Sequence, residues 1–142
     1  MTTTLIDALT ARAIVAYELQ DTSVLPGLRS LGAAMALHGI AENGGLVGGA
    51  IENLFFGENL TSVDDAVAGY RWLGLADVAA LVARAREEYL RFRPTGREEL
   101  SDDDERLWEQ LDASFVEIAP LERVEAAVSA RLAAIAPELL PS

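Results

Sequence analysis

Apolar residues recur every three or four positions along almost the whole chain, which is the period of an amphipathic helix. The stripe Ile6, Leu9, Ala13, Ala16 and Tyr17 predicts a first helix ending near Gln20, with Thr4 as N-cap and Asp7 in the first turn. Pro26 suits the first position of a second helix, which carries Leu28, Leu31, Met35 and His38 to a stop at Asn43-Gly44-Gly45. At that stop Gly44 is expected to take the left-handed conformation, and the second glycine lets two helix backbones approach where they change direction. A third, almost wholly buried helix is expected from Leu46 to Phe56, with Gly48-Gly49 marking close passage of a neighbour.

The remaining pattern predicts four more helices. Ser62 as N-cap, with Asp65 three residues on, starts a fourth that closes at Gly74. The fifth begins near Ala76 and has the clearest stripe, Val78, Leu81, Val82, Ala85, Tyr89 and Phe92, ending at Arg93-Pro94. Ser101 followed by three aspartates starts the sixth, with Leu107, Trp108, Leu111 and Phe115 inside. Pro120 opens the seventh, with Leu121, Val124, Val128, Leu132 and Ile135 inside, and Glu138-Leu139-Leu140 is expected as a loosely held tail within 137–142. Connections are short and no internal repeat occurs. The reading is a single all-α domain over 1–142, of about seven helices.

Composition narrows the chemistry. Apolar residues make up 51% of the chain, much of it alanine, which suits closely packed helices. There is no cysteine and a single histidine, so thiolate and multi-histidine zinc sites are excluded. The amino terminus lacks a basic n-region, and no run of about 18 apolar residues occurs, so no signal peptide, membrane span or membrane partner is expected. A soluble cytoplasmic protein is the expectation.

Charge is more informative. The formal net charge is −12, and all eleven basic residues are arginine. Direct nucleic-acid binding needs a basic footprint, which this chain lacks. The distribution is uneven. Residues 84–97 hold five arginines against two glutamates, whereas residues 98–112 hold eight acids against one arginine. The arginines Arg84, Arg86, Arg91, Arg93 and Arg97 are expected to pair with Glu87, Glu88 and the acidic block. That block, Glu98, Glu99, Asp102, Asp103, Asp104, Glu105, Glu109 and Asp112, is the candidate partner-binding surface: negative charge of this density attracts a basic protein and speeds encounter.

Reactive constellations are sparse. His38 and Glu42 share a helix face as two metal ligands would, but no further histidine completes a set, and His38 is in register with Leu31 and Met35. Glu52, Asp64 and Asp65 could pair as carboxylates, yet Asp64 and Asp65 fit the first turn of a helix. The glycine-rich run from Gly44 to Gly49 is followed by no lysine and preceded by no strand, so it matches no nucleotide-binding loop. No catalytic residue, cofactor or metal is assigned.

Several of these segments, in order, resemble one family. They are Glu42-Asn43-Gly44-Gly45-Leu46, Ile51-Glu52-Asn53, Ala66 to Leu73-Gly74, the helix Val78 to Ala85, and Leu111-Asp112-Ala113-Ser114-Phe115. The series is similar to a bacterial all-helical family best known for a DNA-mimic protein, over roughly residues 38–118. Leu46 stands where the family carries an aromatic residue, and Gly48-Gly49 where it carries bulkier ones. The resemblance implies that Asn43, Gly44, Gly45 and Asn53 are structural markers, and that the chain is an interaction module without enzyme activity. Its carboxylates would then occupy the DNA-binding surface of a basic partner such as a transcription regulator. An immunity or adaptor protein whose partner has no link to DNA fits the same charge, and an enzyme built on His38 and carboxylates is the third reading. A homodimer would give duplex mimicry a longer, two-fold surface.

Overall fold

Helix α2, Pro26–Gly44, runs through the middle of the molecule, and the other elements pack around it. A computed structural model describes residues 2–140, with side chains from Ile6 onward. Helix α1, Thr2–Glu18, lies along one side of α2, and α4, Thr61–Trp72, along another. Helix α5, Ala76–Phe92, packs on α4, and α6, Asp102–Ile118, packs on α5. A π-helix, Leu46–Ile51, continues into the short α3, Glu52–Phe56, and is wedged between α2, α5 and α6. The chain ends in α7, Leu121–Ala130, the four-residue α8, Leu132–Ile135, which returns to α2, and a 3₁₀ turn at Pro137–Leu139. The structure is 79% helical, and no strand occurs among the described residues.

The predicted stripes form the core. Leu9, Ala13 and Ala16 of α1 are buried, as are Val78, Val82, Ala85, Tyr89 and Phe92 of α5. Helix α2 goes further than its stripe of Leu28, Leu31, Met35 and His38. Ala33, Ala34, Leu37 and Ala41 are buried too, because neighbours cover it on several sides. Small residues make that possible: a Cβ on Gly32 would lie 2.0 Å from the Ala13 carbonyl oxygen, and one on Gly69 2.4 Å from that of Ser30. Among the described residues no helix is long and apolar enough to cross a membrane.

The reversal after α2 differs in detail from expectation. Gly44 is still helical. Gly45 carries the unusual conformation, φ +93° and ψ 157°, a region essentially reserved for glycine, and its N–H donates to the Ala41 carbonyl at 2.8 Å. Gly44 supplies the close approach instead: a Cβ on Gly49 would fall 2.5 Å from the Gly44 carbonyl carbon. The two glycines have exchanged the roles predicted for them. The helix that follows starts over-wide, its Ala50 N–H reaching back five residues to Gly45 at 3.0 Å. Asn43 and Asn53 brace the junction by donating to the carbonyls of Gly39 and Gly49.

Other boundaries also move. Helix α1 is already formed at Thr2, so Thr4 does not start it; the Thr4 side chain lies outside those described. Helix α4 starts at Thr61 with no side-chain cap, because the chain is already turning at Asn59, whose carbonyl accepts the Ser62 N–H at 3.1 Å; Ser62 lies inside the first turn and its hydroxyl meets Tyr17 of α1. Its end follows the sequence reading: Gly74, at φ +82°, closes a Schellman turn in which Leu75 N–H donates to Tyr70 and Gly74 N–H to Arg71. The expected seventh helix breaks at Arg131, which leaves helical geometry at φ −118°. In the tail, Glu138 pairs with Arg12 at 2.7 Å, Leu139 packs on the core and Leu140 is exposed; residues 141–142 lie outside those described.

Gly45→Ala is expected to destabilise the fold by about 1–3 kcal/mol, from backbone strain alone. Gly39→Ala, in α2 with no atom within 4 Å of the added methyl, should stabilise by about 0.5–1 kcal/mol. Urea denaturation of both variants checks the pair.

Candidate functional site

The acidic block divides into carboxylates bound within the protein and carboxylates facing solvent. Ser101 caps α6, its Oγ accepting the Asp104 N–H at 3.1 Å, so Asp102, Asp103 and Asp104 fall in the first turn as predicted, and Glu105 joins them. Asp104 turns back to Arg91 at 3.1 Å, and Arg91 also holds Glu88 at 2.8 Å. Asp103 pairs with Arg106. Glu98 folds over the preceding turn and accepts from the Thr95 hydroxyl at 2.7 Å; these hydrogen bonds lower its pKa. Among the described residues Glu99, Asp102, Glu105 and Glu109 are exposed and make no ion pair.

Asp112 departs from the prediction altogether. It points inward, and its Oδ1 accepts the Val47 N–H at 2.7 Å. The carboxylate thus caps the first turn of the π-helix. Burial raises its pKa, and the backbone N–H groups of the turn partly offset that. Spacing put Asp112 on the acidic list; in the fold it is half-buried, with one carboxylate oxygen taken up by the turn it caps.

Helical spacing then decides what the exposed acids can do. Asp102, Glu105 and Glu109 follow one another at three and four residues, opposite the buried Leu111 and Phe115, so they form one outward row on α6. Val116, seven residues and so two turns beyond Glu109 on that face, is 71% exposed. Sequence reasoning grouped the acids but passed over this valine, which the same spacing would have found.

The arginines before the block pair more widely than expected. Arg91 reaches Glu88 and the block, and Arg84 approaches Glu88 at 4.0 Å. Arg86, however, pairs with Asp64 of α4 at 2.9 Å, and Arg93 with Glu52 of α3 at 2.9 Å. Arg97 makes no ion pair among the described residues; only its backbone N–H contacts Glu98. Glu52 also accepts from Tyr89, whose pKa burial and that carboxylate push up to about 12. These pairings scatter Glu52, Asp64 and Asp65 into three environments, since Asp65 binds Tyr17 of α1.

His38 is fully buried, with Nδ1 2.8 Å from the Tyr70 hydroxyl and its ring 5.3 Å from that of Phe115. The tautomer that suits both sides has Tyr70 donating to Nδ1 and the Nε2 proton facing Glu42. Glu42 lies 3.6 Å from Nε2, beyond hydrogen-bond range. Burial lowers the His38 pKa, and Glu42 partly opposes it; burial raises that of Tyr70 well above the ordinary phenol value. Among the described residues no three metal-ligating side chains gather.

The match to known proteins covers most of these elements. The DMP19-like protein family matches residues 23–136, so the chain belongs to that family. No curated protein and no solved structure is significantly similar to it.

Two outcomes test the site's anatomy. Asp112→Ala should cost about 1–3 kcal/mol, by stranding the buried Val47 N–H, whereas Glu105→Gln and Glu109→Gln should stay within about 0.5 kcal/mol of the parent. Denaturation midpoints compare them. The lowered His38 pKa means that the folded state binds fewer protons than the unfolded chain. Stability present above the unfolded histidine pKa of about 6.5 is therefore lost as pH falls towards the folded value, by at most about 1.4 kcal/mol per pH unit. Urea midpoints between pH 7 and 5 should fall, and His38→Gln should remove that part of the slope.

Proposed function

We propose that this chain is a non-enzymatic interaction module whose α6 row imitates the charge of DNA towards a basic, DNA-binding partner. The observation that carries the reading is the outward series Asp102, Glu105 and Glu109, which no arginine of the protein neutralises among the described residues. Neighbouring positions on a helix face stand about 5–6 Å apart at Cβ, so the row offers a line of negative charge to a groove that ordinarily receives phosphates. Membership of the DMP19-like family, a DNA-mimic family, supports the same reading. The net charge of −12 adds a long-range field that accelerates encounter with a basic surface.

The physical consequence is a partner held largely by charge, hence weakly at high ionic strength. Affinity pull-down from native lysate at low and high salt should recover a basic DNA-binding protein at low salt only, and added duplex DNA should displace it. The variant Asp102→Asn, Glu105→Gln, Glu109→Gln should bind that partner roughly tenfold or more weakly at low salt, since it lacks three charges of the interface. Undiminished binding by this variant, or recovery of no basic partner, would sink the proposal. Recovery of a partner that does not bind DNA would instead favour the immunity or adaptor reading.

A further inference from the structure

Between α1, α2 and the start of α4 lies a groove of about 650 Å³, within the range of small-molecule sites. Ile14, Ile40 and Leu54 contribute apolar walls, while Tyr17, Ser62 and Asp65 form a polar cluster. The Tyr17 hydroxyl donates to Asp65 Oδ2 at 2.7 Å and lies 3.2 Å from Ser62 Oγ. A phenol carries one proton, so with that proton directed at Asp65 the Ser62 hydroxyl donates to Tyr17. The relay from Ser62 through Tyr17 orients the carboxylate.

Asp65 is half-buried, and among the described residues it receives this one hydrogen bond and no ion pair. The adjacent Asp64 holds Arg86, and the half-buried Glu52, Glu88 and Asp104 each hold an arginine. The half-buried Asp21, Glu98 and Asp112 are met by backbone N–H groups instead, whereas among the described residues Asp65 receives neither an arginine nor a backbone N–H. The walls of the groove include no arginine, and Glu18 adds a second carboxylate. Arg29 lies in the adjoining groove of about 400 Å³, which shares Tyr17 and Asp65, and is beyond ion-pair distance of Asp65. An oriented carboxylate in a half-apolar cleft without its own counter-ion is matched by a cation on a hydrocarbon stem.

We propose that this groove binds a primary ammonium or guanidinium group on an alkyl stem, with Asp65 taking the cation and the apolar walls taking the stem. Two sources share that chemistry: a free alkyl diamine, and the lysine or arginine side chain of a protein. The site is separate from the α6 row, so neutralising that row leaves it intact.

Amide NMR titration tests the proposal with 1,4-diaminobutane, with lysine blocked at both ends, and with 1-butanol as the neutral stem. Saturable shifts are expected at Ile14, Tyr17, Ile40 and Asp65 with one or both amines and none with butanol. Asp65→Asn keeps an oxygen for Tyr17 and removes the charge, so affinity should fall roughly tenfold or more, as expected for loss of a charge-assisted bond. Thr61→Arg, at an exposed position in the groove wall, should block the amines without disturbing the core. The α6 triple variant should bind as the parent does. Binding of the diamine alone identifies a free amine as the occupant, and binding of blocked lysine identifies a protein side chain. The proposal is overturned by an absence of saturable shifts with both amines, or by shifts that spread over α6 and survive Asp65→Asn.

Discussion

The reversal between α2 and the π-helix leaves little space and a buried backbone donor at Val47 to satisfy, and α6 is placed to meet both demands. The chain turns at Gly45 so abruptly that Gly49 comes to lie against Gly44, where a single methyl would not fit. The first turn of the new helix leaves N–H groups with no partner in its own backbone, and burial would make them costly. Asp112, sixty-five residues further along, supplies the acceptor. A Cβ on Gly45 would stand 2.7 Å from that carboxylate, so the glycine that permits the turn also makes room for its cap. Helix α6 is thereby pinned to the centre of the fold, and its opposite face is set towards solvent.

This division explains how an acidic chain holds itself together. Five of the eleven arginines are engaged in cross-links between elements: Arg86 joins α5 to α4, Arg91 joins α5 to α6, Arg93 joins the end of α5 to α3, Arg123 joins α7 to Asp77 of α5, and Arg12 joins α1 to the tail. Individually such exposed pairs contribute little stability. Their collective effect is to place neutralised acids between elements and to leave the outer face of α6 with uncompensated charge. The buried His38–Tyr70 pair follows the same logic with neutral groups, linking α2 to α4 where an ion would be expensive.

Much of the fold was legible because helices are local. The stripes of α1, α5 and α6, the proline at the start of α2, the Ser101 cap and the Gly74 turn all depend on residues within a few positions of one another. Assignments that failed depended on distant groups. Ser62 reads as a cap, but the chain is already helical before it and its hydroxyl meets Tyr17 of α1. Gly44 and Gly45 cannot be told apart by spacing, because only the position of Gly49 and Asp112 decides which of them must be left-handed.

By itself, then, the sequence determined an all-helical chain, the faces that would be buried, and an excess of negative charge concentrated before and within one helix. Those properties are set by local periodicity and by composition. The tertiary structure alone decided which carboxylates are available. Asp112 and Asp104 lie in the same acidic run as Asp102, Glu105 and Glu109, yet they are taken up by a backbone turn and by an arginine that folding brings against them. The same holds for Asp65, which adjoins the paired Asp64 in sequence but faces a groove between helices. A carboxylate's role is fixed by what lies within a few ångströms of it, and in a helical bundle those neighbours come from other parts of the chain.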